Sequence, residues 1–197
     1  MRQASVERNT LETRLAVRLT LDGRGRGEIR TPIGFFSHML EAFSRHGLFD
    51  LSVDAEGDLH VDQHHLLEDC GLVIGTAFRE ALGDKRGIQR AGYFVFPMDE
   101  ALAVVAVDIG GRPYLQWDAA FKRRLCGELD TDILPDFFQG FVQGSAANVA
   151  IHMPYGRSDH HKIEAIFKAW GKAMKMACER EPRAGGGIPS TKGMIES

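Results

Sequence analysis

No long apolar run occurs in this chain. The N-terminal stretch MRQASVERNTLETRL carries charges throughout, so it lacks the hydrophobic segment of a secretory signal or membrane anchor. No later stretch approaches the roughly eighteen apolar residues of a membrane span. A cytoplasmic protein without membrane attachment is expected. Cysteine is scarce as well: Cys70, Cys126 and Cys178 are odd in number, scattered and free of CxxC spacing. That argues against a disulfide framework and for reduced packing residues. An excess of one charge sign is also missing. With 24 Lys and Arg against 27 Asp and Glu the net charge is −3, which gives no general attraction to nucleic acid or anionic membrane. Any basic site has to be local. No biased tract is long enough to suggest a disordered chain.

What is present fits a globular protein, with 197 residues of which 44% are hydrophobic and 26% charged. This length buries a proper core but supports only one ordinary domain, or two small halves fused into one. Alternation of Leu15, Val17, Leu19 and Leu21 predicts a half-buried strand over TRLAVRLTL, and GRGRG at 23–27 breaks it as a turn. Phe36, Met39, Leu40 and Phe43 recur at helical spacing before Gly47. LSVDAE and DLHVD read as two strand-like pieces, followed by a helix from about His65 to Leu82.

After a polar break at 83–90 the order largely repeats. YFVF, ALAVVAVDI and PYLQWDAAF read as strands, ILPDFFQGFVQGSA as a helix, NVAIHM as a strand and HHKIEAIFKAWGKAMKMA as a second long helix. We therefore divide the chain into a first half-repeat over 1–90, a second over 91–184 and a C-terminal arm over 185–197, together one compact domain. The predicted fold class is α+β, in a two-layer α/β arrangement with each half a sheet backed by two helices.

The repeat extends to chemistry. Residues 64–68 read HHLLE and 160–164 read HHKIE; His38 precedes the first motif by 26 residues and Asp136 precedes the second by 24. On a helix the glutamate of HHxxE stands beside either histidine, whereas consecutive histidines diverge by about 100°. One histidine per ion is the natural solution, so two facing motifs would build a two-metal site. Imidazoles with carboxylates suit Zn, Mn, Fe, Co or Ni alike. A single such pair at a helix end is usually a solvated or capping feature; two on matching helices of a duplicated chain are much harder to explain that way. Asp62 and Asp159, just ahead of the motifs, would cap the helices or orient an imidazole. His46, His60 and His152 have no comparable partner and read as structural or exposed.

These segments, with RNTLET, GFFSHMLEAFSRHGLFDL, DLHVDQHHLLEDCGLVIG, RAGYFVFPMDEALAVVAVDIGGRPYL, SDHHKIEAIFKA and IPSTKGMI in that order, resemble the imidazoleglycerol-phosphate dehydratase family over almost the whole chain. The resemblance implies two halves of the ribosomal protein S5 domain 2-like type, and trimers assembled into a homo-oligomeric 24-mer with active sites between subunits. It also implies two manganese ions per active site. One ion would take His64, His160, Glu164 and Asp136; the other would take His38, His65, Glu68 and His161. Asp136 stands where several members have histidine, and Ser37 and Ala42 are further departures.

The implied reaction removes water from imidazole glycerol phosphate to give imidazole acetol phosphate in histidine biosynthesis. A ring held by both nitrogens between two ions would lose its N–H, and the resulting imidazolate would expel the neighbouring hydroxyl through a diazafulvene-like intermediate. Resemblance casts Glu12 as the acid–base group and as a substrate contact, and Arg90, Arg112, Ser190 and Lys192 as phosphate contacts. Arginine forks, a lysine charge and a hydroxyl agree with an anion there. Gly185, Gly186 and Gly187 precede IPSTK as a hinge-like run that would let the arm fold over the substrate. The rival readings are a two-metal phosphoester or amide hydrolase, and a structural metal site in an S5-like binding module.

Overall fold

The computed structural model describes residues 1–195; the last two residues of the predicted arm lie outside the described residues. The first half runs β1 (Gln3–Asn9), β2 (Thr13–Thr20), β3 (Gly27–Arg30), α1 (Gly34–Gly47), β4 (Asp50–Gly57) and α2 (His64–Leu82). The second runs β5 (Ala91–Met98), β6 (Ala101–Asp108), β7 (Tyr114–Asp118), the short pair β8 (Leu125–Cys126) and β9 (Leu129–Asp130), α3 (Leu134–Ser145), β10 (Asn148–Tyr155) and α4 (Asp159–Cys178). The sheets have orders β1-β2-β4-β3 and β5-β6-β10-β7. In each, an antiparallel hairpin pairs antiparallel with the fourth strand, and the third strand lies parallel to the fourth. Apart from the β8–β9 insertion, the halves are one topology written twice.

The strands form where alternation matches burial. Thr13, Leu15, Val17 and Leu19 of β2 point inward and Arg14, Ala16 and Arg18 outward, and each buried Leu or Val side chain contributes roughly 1.5–3 kcal/mol. Four strands escape the sequence reading, the two-residue β8 and β9 and the edge strands β1 and β3. In β1 only Ala4 and Val6 lean on the core, between outward Ser5 and Glu7; β3 has Ile29 alone. The predicted strand DLHVD is instead a turn. Asp58 donates its N–H to the Glu12 carbonyl, and Val61 donates back to the Asp58 carbonyl, which curls the chain into α2. PYLQWDAAF leaves the sheet after Asp118.

α2 lies on β1, β2 and β4, and α4 on β5, β6 and β10; across the halves α2 packs on α3 and α1 on α4. The α2–α3 crossing is close enough to require glycine. A Cβ on Gly71 would stand 2.0 Å from the Phe137 carbonyl oxygen, and one on Gly140 would stand 2.2 Å from that of Glu68. Gly75 and Gly144 continue the contact one turn on, so the two helices run parallel with their N-termini together. α1 and α4 pair in the same sense through Gly171, whose Cβ would lie 2.6 Å from the Phe43 carbonyl oxygen. Trp170 of α4 fills the centre, stacked on Phe43 and edged by Phe137, Phe138 and Phe141.

The outer faces of the sheets differ in chemistry. The first presents Ser5, Glu7, Arg14, Arg18, Asp54 and Glu56. The second presents Tyr93, Val95, Ala106, Tyr114 and Ala150.

Candidate active site

Parallel helix pairs bring four N-termini and their polar side chains into two groups. Just ahead of α2 the Asp62 carboxylate accepts the His64 N–H at 2.8 Å in an Asx-type turn, while the N-cap position itself is Gln63, without a side-chain cap. On α2, His64 Nε2 lies 3.5 Å from Glu68 Oε2. The glycine crossing delivers Asp136, in the first turn of α3, to 3.6 Å from His64 Nδ1. On α4, His160 Nε2 lies 3.2 Å from Glu164 Oε2, and α1 brings His38 Nε2 to 4.0 Å from Glu164 Oε1.

Asp159 does something other than cap α4. Its buried carboxylate accepts the N–H groups of Lys122 and Arg123 and pairs with Lys162, while Ser158 caps the helix by accepting the His161 N–H.

The second histidine of each motif points elsewhere. Ring planes of His64 and His65 stand 87° apart, and those of His160 and His161 88° apart. His65 Nδ1 sits 3.0 Å from Asp58 Oδ2, and His161 Nδ1 sits 2.8 Å from Glu100 Oε2. The Asp58 hydrogen bond raises the imidazolium pKa of His65. His161, aided by the Ser158 N–H, holds the Glu100 carboxyl down to about 2. Glu12, at the β1–β2 turn, comes to 3.9 Å from His65 Nδ1 and keeps an exposed carboxylate. Its hairpin is tied to α2 by buried Asp69, which accepts from Arg8 Nε at 2.9 Å and Thr13 Oγ1 at 2.5 Å. Burial opposes the charge on Glu164, but the Lys168 ammonium, 2.8 Å away, outweighs it and leaves that carboxyl pKa lowered.

The donor set fits divalent transition ions. Imidazole nitrogens and carboxylate oxygens are gathered at helix ends, with ring nitrogens available and the second ring nitrogen of His65 and His161 already held by a carboxylate, as is common in metal sites. Asp99, Glu100 and His161 also offer ligand atoms within 4.8 Å of one another.

Asp58, Asp69, Glu100 and Lys168 were invisible as partners in the sequence, because each is defined by tertiary contact. One signal did exist for Glu100: MDEAL forms the β5–β6 turn, the position in the second repeat that LET and Glu12 occupy in the first. His152 stands on β10 bonded to Asp118 at 2.6 Å. His46 packs edge-on against Phe96, and burial lowers its pKa.

Arg90, Arg112, Ser190 and Lys192 come together, lining a cavity of about 190 Å³ with Gly110 and Thr191. Arg90 forks onto Asp108 through Nε and Nη2 at 2.6 and 2.9 Å, and its Nη1 donates to the Pro189 carbonyl, which anchors the arm. Gly87 accepts and donates along the same stretch, to Gly187 and from Glu181. This basic pocket lies at the far end of the half from the motif. Arg90 precedes β5 and Asp99 follows it; α4 starts at the motif and ends beside the arm. Twenty helical residues span about 30 Å.

A family model for imidazoleglycerol-phosphate dehydratase matches residues 31–174. The chain is 54% identical over 195 residues to the imidazoleglycerol-phosphate dehydratase of Koribacter versatilis, covering 99% of this chain and 100% of that one. It is 51% identical over 194 residues to a histidine biosynthesis bifunctional protein of Spirosoma linguale, covering 98% of this chain and half of that longer protein. Among solved structures, the dehydratase of Staphylococcus aureus superposes with a TM-score of 0.82 at 36% identity, covering 91% of this chain and 99% of that one. That of Pyrococcus furiosus gives 0.84 at 34% identity, covering 96% and 100%.

Proposed function

The chain belongs to the imidazoleglycerol-phosphate dehydratase family, lyases of histidine biosynthesis, and from that premise we propose that it eliminates water from imidazole glycerol phosphate to give imidazole acetol phosphate in the cytoplasm. One observation carries the reading: two HHxxE helices, each with an added ligand delivered by a parallel neighbour, present duplicated imidazole–carboxylate groups. The residues that would hold two manganese ions are His64, Asp136, His160 and Glu164 for one, and His38, His65, Glu68 and His161 for the other. Two such cations, if bound there, would supply Lewis acidity to an azole substrate.

The chain's own residues do the rest. Glu12 is the acid–base group at the reacting carbons, a role worth ~10²–10⁴-fold. Its carboxylate is suited to that role because Asp58 already satisfies His65 Nδ1 and leaves Glu12 exposed. Arg90, Arg112, Ser190 and Lys192 bind the phosphate, and the arm brings the last two to it.

The active site lies between subunits of a homo-oligomer, in keeping with a 24-mer built from trimers. Two facts support this. The basic pocket and the motif lie toward opposite ends of α4, whose 20 residues extend about 30 Å. Each proposed ligand set also mixes side chains from both groups: within one chain His38 meets Glu164, and His64 meets Glu68 and Asp136. The apolar outer face around Tyr93 and Val95 suits burial against another copy.

The test is direct. Protein loaded with manganese and assembled should convert imidazole glycerol phosphate to the acetol phosphate; absence of product would remove the assignment.

A further inference from the structure

Two carboxylates outside the implied ligand set, Asp58 and Glu100, each approach Nδ1 of the second histidine in a motif. Asp58 places Oδ2 and Oδ1 at 3.0 and 3.2 Å from His65 Nδ1. Glu100 places Oε2 at 2.8 Å from His161 Nδ1, while its Oε1 accepts the Ser158 N–H at 2.7 Å. An ionised carboxylate only accepts. Nδ1 of each ring therefore carries the hydrogen, and in the neutral ring the lone pair is on Nε2. The two acids come from unrelated places: Asp58 from the turn between β4 and α2, Glu100 from the β5–β6 hairpin. The same contact thus arises twice in a duplicated fold by different routes, which an accident of packing does not explain.

We infer that Asp58 and Glu100 are positioning residues that fix the tautomer and orientation of His65 and His161, so that both rings present Nε2 to a divalent cation. This rests on the metal reading above. Both acids are themselves held: Asp58 by its N–H to the Glu12 carbonyl and a largely shielded side chain, Glu100 through the N-cap residue of α4. Each ring is thereby clamped from a backbone fixed on two sides.

The experiment measures manganese affinity and melting temperature of the full-length chain for Asp58→Ala, Asp58→Asn, Glu100→Ala and Glu100→Gln. Loss of such a partner weakens metal binding about 10- to 100-fold, and this is expected in both alanine variants. Asp58→Asn keeps an oxygen that accepts from Nδ1–H and should recover most of the loss, whereas Glu100→Gln keeps one acceptor for two N–H donors and should recover only part of it. Alanine variants with unchanged affinity would overturn the inference, as would an Asp58→Asn variant as weak as Asp58→Ala. Should the alanine variants fail to fold, nitrogen-15 spectra of the histidine rings in the metal-free wild type decide: Nδ1–H tautomers at His65 and His161 are expected, and Nε2–H tautomers would refute it. A wild type that binds no manganese brings down the metal reading itself, an outcome distinct from a metal-binding wild type whose alanine variants bind equally well.

Discussion

The two halves share one topology but fasten their hairpins to their motif helices by opposite means. In the first, the acid is on the helix: Asp69 of α2 reaches out to Arg8 and Thr13 of the β1–β2 hairpin. In the second, the acid is on the hairpin: Glu100 reaches in to Ser158 and His161 at the start of α4. The consequence is chemical. Because Asp69 does the fastening in the first half, the turn acid Glu12 stays exposed, with only a loose 3.9 Å approach to His65, whereas its counterpart Glu100 is consumed as a support. Duplication supplied two equivalent frames, and divergence of the fasteners left one turn carboxylate exposed, the one proposed above for proton transfer.

The motif glutamates diverge in the same way. Glu164 is 11% exposed and paired with Lys168, whereas Glu68 is 52% exposed with Leu72 at the corresponding place. If both motifs are ligands, Glu68→Ala and Glu164→Ala should each cut kcat/KM by more than about 100-fold and lower the manganese content. Their stabilities should separate them. Glu164→Ala strands a largely shielded lysine and should cost about 1–3 kcal/mol, while Glu68→Ala should melt near wild type. A Glu68→Ala enzyme with near-normal turnover would break the equivalence of the two motifs.

Packing offers a second, smaller contrast. The α2–α3 pair meets through four glycines, the α1–α4 pair chiefly through Gly171 and Gly47. Gly140→Ala drives a methyl to 2.2 Å from a backbone carbonyl that cannot rotate away; at Gly171 the distance is 2.6 Å. Overpacking of this kind costs typically 1–3 kcal/mol, less what alanine regains as a helix former, up to ~1 kcal/mol. Gly140→Ala should therefore lower the melting temperature by about 2–4 °C and displace Asp136 from His64. Gly171→Ala should do less. Equal losses would mean that the helix pairs are equally tight.

These contrasts mark where sequence ceases to be legible. All four helices and the buried strands could be read, because their apolar residues repeat at the right period. The HHxxE motifs were readable as a pair for the same reason that the duplication was. β1 and β3 were hidden because one or two apolar side chains suffice where a strand sits at a sheet edge, and DLHVD alternates like a strand although its amides bond to its own turn and to Glu12. Asp58, Asp69 and Glu100 are separated in sequence from the residues they hold, by up to 61 positions for Glu100 and His161, so no local pattern announces them. Asp159 read as a capping or orienting acid because it adjoins HH, but burial turned it toward Lys122, Arg123 and Lys162.

The smallest contrast concerns a latch at the opposite end of each sheet. Asp50 opens β4 and accepts the N–H groups of Arg24 and Arg26 at 2.8 and 3.0 Å, holding the GRGRG turn. Asn148 opens β10 at the matching place and donates to the Arg112 carbonyl at 2.6 Å, holding the turn that carries Arg112. The first latch titrates and the second does not. Bonding from the Arg24 N–H, reinforced by that of Arg26, lowers the Asp50 carboxyl pKa. Its contribution to stability is therefore complete above the ordinary aspartate value of about 3.9 and disappears as pH falls through the lowered value. Asp50→Asn should cost less than about 1 kcal/mol at neutral pH, because the site is partly exposed and only the charged share of the bonds is lost. The gap in melting temperature between wild type and variant should hold from pH 7 down to about 4 and narrow below it, as the carboxylate is protonated. A gap that stays constant below that pH as well would show that Asp50 holds its turn as Asn148 does, by shape and neutral hydrogen bonding, and would erase this difference between the halves.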